Sequence, residues 1–176
     1  MPGPPLECCY GFAVGHCEMR VVASRGELEL VAAESGARST PSVIALSATG
    51  EWLVGDAAAA QAGKNARATV TDVLALLPRE EDDDDGDALR LRLSARRQES
   101  LKVLTLEEVK KRKKRDDDDA PAVLLAPTGS GDTTLLTAQV AASKLFASLK
   151  KIADESNDDD DDDVAACVVS VPIDVY

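Results

Sequence analysis

The spacing of apolar positions changes several times along this chain, and each change marks an element. Residues 7–33 read as three short strand-like stretches, "ECCYGFAV", "CEMRVVAS" and "ELELVAA", separated by turn residues. Short strand runs joined by tight turns predict an antiparallel meander. Gly15–His16 and Arg25–Gly26 supply the turns, so the first hairpin presents a tip of Gly15, His16 and Cys17. Gly36 and Pro41 then punctuate the loop "ESGARSTPSVIALS", and Val43–Leu46 predicts a further strand. "GEWLVGDAAAAQAGKN" opens on a turn and becomes Ala-rich and helical after Gly55, while "TVTDVLALL" predicts a second short helix ended by Pro78.

Further along, "LRLRLSA" has period two and "ESLKVLTL" follows it, predicting two strands across residues 89–105. "LEEVKKRKKR" reads as a helix with acids first and bases last, which complements the helix dipole. "AVLLA" and "TTLLT" predict two strands joined through Thr128–Asp132, a segment of ordinary turn residues. A long helix follows in "TAQVAASKLFASLKKIADESN", with Thr137 as N-cap, Leu136 as staple, and Val140, Leu145, Phe146, Leu149 and Ile152 on one face. The continuous apolar run at 165–171 predicts a central strand buried on both faces. The sum is an α/β fold.

One stretch imitates a phosphate loop. "APTGSGDT" departs from G-x-x-x-x-G-K-[ST] at Ala126 and at Asp132. Asp132 places a carboxylate where a cation must meet phosphate, and the next helix starts only at Thr137. The hairpin reading therefore stands, and no phosphate is expected there.

Charge changes the picture only locally. The 176 residues carry a formal charge of −12, but the runs Asp82–Asp85, Asp116–Asp119 and Asp158–Asp163 hold 14 of the 32 acids. That leaves 18 acids against 20 Lys and Arg, a nearly neutral body interrupted by self-repelling loops. The basic end of "LEEVKKRKKR" runs directly into four aspartates that cancel its field at short range, so no direct nucleic-acid readout is expected. The start "MPGPPLECCYG" has no basic segment and no long apolar stretch, and no run spans a bilayer, so neither a secretory signal nor a membrane partner is expected. Cys8, Cys9, Cys17 and Cys167 then read as reduced thiols of a cytoplasmic protein. Cys8, Cys9, His16 and Cys17 make a poor metal set, because neighbouring strand residues point to opposite faces and no C-x-x-C pair occurs. No metal ligand and no catalytic residue is assigned.

The meander, "GARSTPSV", "EWLVGDAAAAQAGKN" and "VVSVPIDVY" together resemble the start of the nucleotide-binding domain of the 70 kDa heat-shock chaperone family. The matching blocks are Gly36–Ser42, Leu53–Ala58, Leu145–Lys151 and Val168–Pro172. The resemblance implies an actin-like ATPase (ribonuclease H-like) first lobe with an inserted α+β subdomain. The core would comprise residues 1–39 and 136–176, the insertion 40–135, and the acidic loops 80–87, 116–119 and 158–163. It also implies an incomplete nucleotide-binding domain, without the second phosphate turn or the adenosine pocket.

In that family the first hairpin is a phosphate turn of the form I-D-L-G-T-T, and the cofactor is ATP or ADP with Mg. Here the turn reads "FAVGHCE": Ala13 stands at the aspartate, His16 and Cys17 at the threonines, and Glu18 follows. The family lysine in D-A-K-R-L is matched by Leu74 in "DVLAL". Gly15, His16 and Cys17 are thus the remnant of a cofactor turn, and sequence assigns His16 no carboxylate partner. Such losses resemble atypical, ribosome-associated members, implying weak or absent ATP binding and a regulatory or scaffolding role beside a J-domain co-chaperone, ribosome or nascent chain. Two other expectations stand beside it: an ATP-dependent chaperone whose remaining parts lie elsewhere, and an acidic interaction protein whose Asp runs grip basic partners.

Overall fold

The computed structural model describes residues 9–24, 27–77, 86–113, 122–156 and 166–171. The Arg25–Gly26 turn, Cys8, Pro78 and the three acid runs lie outside the described residues.

The meander forms as its pattern requires. β1 (Cys9–Val14), β2 (Glu18–Ser24) and β3 (Leu28–Val31) pair antiparallel in sequence order. Tyr10, Phe12 and Val14 face Ala23, Val21 and Met19 across the β1–β2 ladder, and all six are buried on one side. Such cross-strand apolar pairs are the stabilising unit of a sheet. A two-residue strand, β4 (Thr40–Pro41), joins the start of β2.

A second sheet has the order β6-β5-β7, built from β5 (Ile44–Leu46), β6 (Trp52–Val54) and β7 (Thr69–Val70). Helix α1 (Asp56–Gln61) follows β6 directly, and 3-10 turns occupy Ala66–Ala68 and Val73–Leu76. The expected second helix is therefore β7 plus a single 3-10 turn. Its N-cap is Asp72, whose side chain accepts from the Ala75 N–H at 3.2 Å.

The largest departure from expectation is "LRLRLSA", which is not a strand but helix α2 (Asp87–Ala95). Leu89 and Leu93 are buried four residues apart while Leu91 is 73% exposed, so the functional spacing was the helical one. Leu and Arg are also strong helix formers, and this outweighs a period of two that only three leucines support. The other expected strand shortens to β8 (Lys102–Leu104). Helix α3 (Leu106–Lys113) follows, and then β9 (Ala122–Leu125) and β10 (Thr134–Leu136) form the expected hairpin. The third sheet is ordered β10-β9-β8. Thr128–Asp132 is a turn, with Gly129 at φ 85° and the Ser130 N–H donating to the Pro127 carbonyl at 3.2 Å. Buried Asn65 docks it, accepting from the Thr128 N–H at 3.0 Å and donating to the Leu46 carbonyl at 2.8 Å.

Thr105 and Glu108 form a reciprocal capping box at the start of α3. The Thr105 N–H donates to the Glu108 carboxylate at 3.0 Å, and the Glu108 N–H donates to Thr105 Oγ1 at 3.3 Å. The Thr105 N–H holds the Glu108 carboxyl below its usual value. A group whose folded-state value is lowered contributes above the unfolded carboxyl range and loses that contribution as pH falls through the lowered value. The expected result is an NMR titration in which the Thr105 amide shifts with an acidic midpoint below that of an unstructured glutamate. In Glu108→Gln this transition should vanish.

Helix α4 (Ala138–Glu155) starts at its expected cap, where Thr137 Oγ1 accepts from the Val140 N–H at 3.4 Å. Its innermost line is Ala138, Ala141, Leu145, Leu149 and Ala153, while Val140, Phe146 and Ile152 flank it, half-buried against the same core. The helix lies over β2, and Tyr10 reaches it through its hydroxyl, which donates to the Ala153 carbonyl at 3.1 Å. It leads to β11 (Ala166–Ser170), which pairs parallel with β1. The expectation of a central strand buried on both faces fails. Among the described residues β11 is the edge of the sheet order β11-β1-β2-β3, with Val168 67% and Val169 46% exposed. Alternate residues point to opposite faces, so both faces of β11 are uncovered. An apolar groove of about 480 Å³, lined by Tyr10, Phe12, Phe146, Cys167 and Val169 among others, runs between α4 and this strand.

Candidate functional site

β1 and β11 are the parallel pair of the main sheet, with Ala13 opposite Ser170 at their carboxyl ends. In α/β sheets that end of parallel strands is where ligand crevices form. A cleft of about 310 Å³ opens there, lined by Ala13, Val14, Gly15, Glu18, Arg20 and Ser170.

The β1–β2 turn forms its rim. The Gly15 N–H donates to the Glu18 carbonyl at 2.8 Å, and a Cβ on Gly15 would stand 3.0 Å from that oxygen. The turn is thus tight enough to favour glycine. The Cys17 carbonyl accepts from the Ser42 N–H at 3.0 Å, which ties the turn to the "TPS" loop. Of the three residues expected at the tip, only Gly15 borders the cleft. Cys17 is exposed, and the His16 side chain engages a different part of the chain.

His16 Nδ1 lies 2.9 and 3.0 Å from the two carboxylate oxygens of Asp72. An Nδ1–H donates to that carboxylate in the imidazolium and in one neutral tautomer alike. Asp72 is 4% exposed and also pairs with the Arg96 Nε at 3.1 Å, just past the end of α2. Beside it the Thr71 N–H donates to Gln98 Oε1 at 2.8 Å, and Gln98 is itself buried. One buried carboxylate therefore collects the turn, the Val73–Leu76 segment and the end of α2. Sequence reasoning left Asp72, Arg96 and Gln98 unassigned; the available signal was an aspartate in capping position ahead of "VLAL".

Electrostatically the cleft is self-compensated. Arg20, its lining cation, is ion-paired with Glu18 on the same strand. Both side chains are about half exposed, so the pair contributes little to stability. Leu74 does not approach the cleft lining; it packs half-buried against the main apolar core.

Among the described residues no helix is long and apolar enough to cross a membrane. The sequence model of the family described as Hsp70 protein matches residues 10–174, nearly the whole chain. The family works with ATP or ADP and magnesium, and usually with J-domain co-chaperones and client polypeptides. The meander, the parallel β11 and the crossover α4 that leads into it are thus parts of an actin-like ATPase fold, and the chain belongs to the Hsp70 family.

Proposed function

We propose that this chain is a regulatory or scaffolding component of a chaperone system, acting in the cytoplasm at the ribosome beside a J-domain partner, with a nucleotide cleft that has lost its chemistry. The observation that carries this reading is the cleft lining. A magnesium–phosphate group needs carboxylate or hydroxyl oxygens for the metal's water shell and uncompensated donors for phosphate. Among the described residues the lining leaves no uncompensated cation: Ala13 offers a methyl, Ser170 a single hydroxyl at the strand end, and Arg20 is already paired with the Glu18 carboxylate. Glu18 neutralises the one cation of the described lining that could meet phosphate, and His16 at a hydroxyl position spends its Nδ1 on Asp72. These residues do not fit the group.

Residues 1–39 and 136–176 as core, with 40–135 as insertion, is the division this reading adopts. Three separate sheets support it: the second lies inside 40–135 and the third does so up to its last residue, Leu136, while β4 (Thr40–Pro41) at the insertion's edge still pairs with β2 of the core.

Calorimetry tests the loss of chemistry. Titrating MgATP into this chain should give no heat of specific binding at up to millimolar nucleotide. Tight, magnesium-dependent binding would end the proposal. Ala13→Asp with His16→Thr in a full-length context should raise ATP turnover; equal turnover without the changes counts against it too.

A further inference from the structure

The contact between His16 and Asp72 joins residues 56 positions apart, and it is one of several that meet at the same carboxylate. The turn contributes His16, the 71–76 segment contributes Asp72 and its cap on Ala75, and the end of α2 contributes Arg96. Gln98 extends the cluster by holding the Thr71 N–H, and its Nε2 is buried with no partner among the described residues. We infer that His16 and Asp72 form an internal latch, which fixes the cleft's turn to the 71–76 segment and the end of α2 without any ligand.

A glycine turn at a cleft mouth needs something to order it. Such a turn has few apolar contacts and would ordinarily be among the first segments to open. Here Cys17 is exposed and Gly15 half-buried, so side-chain packing supplies little order. The His16 ring, 19% exposed, supplies it instead through a charge-assisted bond to a carboxylate that is 6% exposed at its side chain. Asp72 in turn cannot swing freely, because the Ala75 N–H and the Arg96 guanidinium hold its two oxygens. The turn is thus ordered by a neighbouring segment, and that segment's own cap is ordered by the turn. Reciprocity of this kind is a coupling between two sites.

The inference extends the proposed function, and its test is made without nucleotide. Tight ATP binding would therefore sink the proposed function and leave the latch standing. Hydrogen exchange should be followed on the full chain as wild type, His16→Ala and His16→Asn. Asn offers an Nδ2–H close to where the imidazole Nδ1–H stood. In His16→Ala, exchange should rise roughly tenfold both at Gly15 and at the Asp72-capped Ala75 amide, the scale of one lost charge-assisted bond. In His16→Asn, most of that protection should return at both places. Acceleration confined to residues 15–18, or an Asn variant that exchanges like the Ala variant at Ala75, would overturn the latch.

Discussion

Gly55→Ala is expected to destabilise the chain by about 2–5 kcal/mol, the sum of a backbone term and a packing term. Gly55 caps α1 at φ 69° and ψ −134°, a conformation that is closed to residues with a Cβ. A Cβ built there falls 2.4 Å from the Thr40 Cγ2 methyl, and Thr40 is 8% exposed, so the methyl has little room to retreat. The Gly55 N–H donates to the Val43 carbonyl at 2.9 Å, so the backbone cannot rotate away without breaking the bond that seats α1 on β5. Urea denaturation checks the expectation through a lowered midpoint at unchanged slope. Thr40→Ser removes the colliding methyl. Combined with Gly55→Ala it should recover the packing share and leave the backbone share, so the two changes will not add. A simple sum of the two single effects would show that the close approach is relieved some other way.

Gly55 also shows what kind of information the sequence carried. It was legible as the end of a turn before an Ala-rich helix, because a glycine followed by good helix formers is local information. The meander, the β9–β10 hairpin and the cap at Thr137 were legible for the same reason: each is specified by spacing and turn residues within about a dozen positions. "LRLRLSA" failed because three leucines satisfy a period of two, while one helical spacing, Leu89 to Leu93, decides burial. β11 failed differently. Its composition is that of a strand buried on both faces, but burial is set by neighbours, and among the described residues only β1 stands beside it.

The site divided along the same line. The turn Gly15–His16–Cys17 was found from local chemistry and from the family resemblance. That Ala13, His16 and Cys17 stand where the resemblance implies an aspartate and two threonines was visible as bare residue identities. The partner of His16 was not visible, because a contact across 56 residues has no spacing rule. Nor did the 3-10 segment announce itself: "TDVLAL" contains an aspartate cap and apolar residues, as a short helix would. The capping box at Thr105 and Glu108 is the counter-example, a structural detail that its four-residue pattern already encodes.

The second large effect is expected at Leu149. Leu149→Ala should cost about 2–5 kcal/mol, the range for truncating a buried leucine to leave a cavity. Leu149 is fully buried on α4 and lines, with Met19, Val21, Val31 and Ile152, the seam where the helix crosses the meander. Met19 and Val21 are themselves 0% and 2% exposed on the covered side of β2, so truncation removes apolar packing from a buried seam. Phe146 lies on the same helix and belongs to the same apolar face by spacing, yet the structure gives it a different role. It is half-buried at the rim of the open groove beside Phe12 and Val169, so truncation enlarges a space that water already reaches. Phe146→Ala should therefore cost only about 1–2 kcal/mol, although the side chain removed is larger. Paired urea curves decide the matter. Leu149 as the costlier site means that α4 is seated by its line over β2 and leaves the β11 side open. The reverse order would mean that the groove is closed in solution and that Phe146 is part of the core.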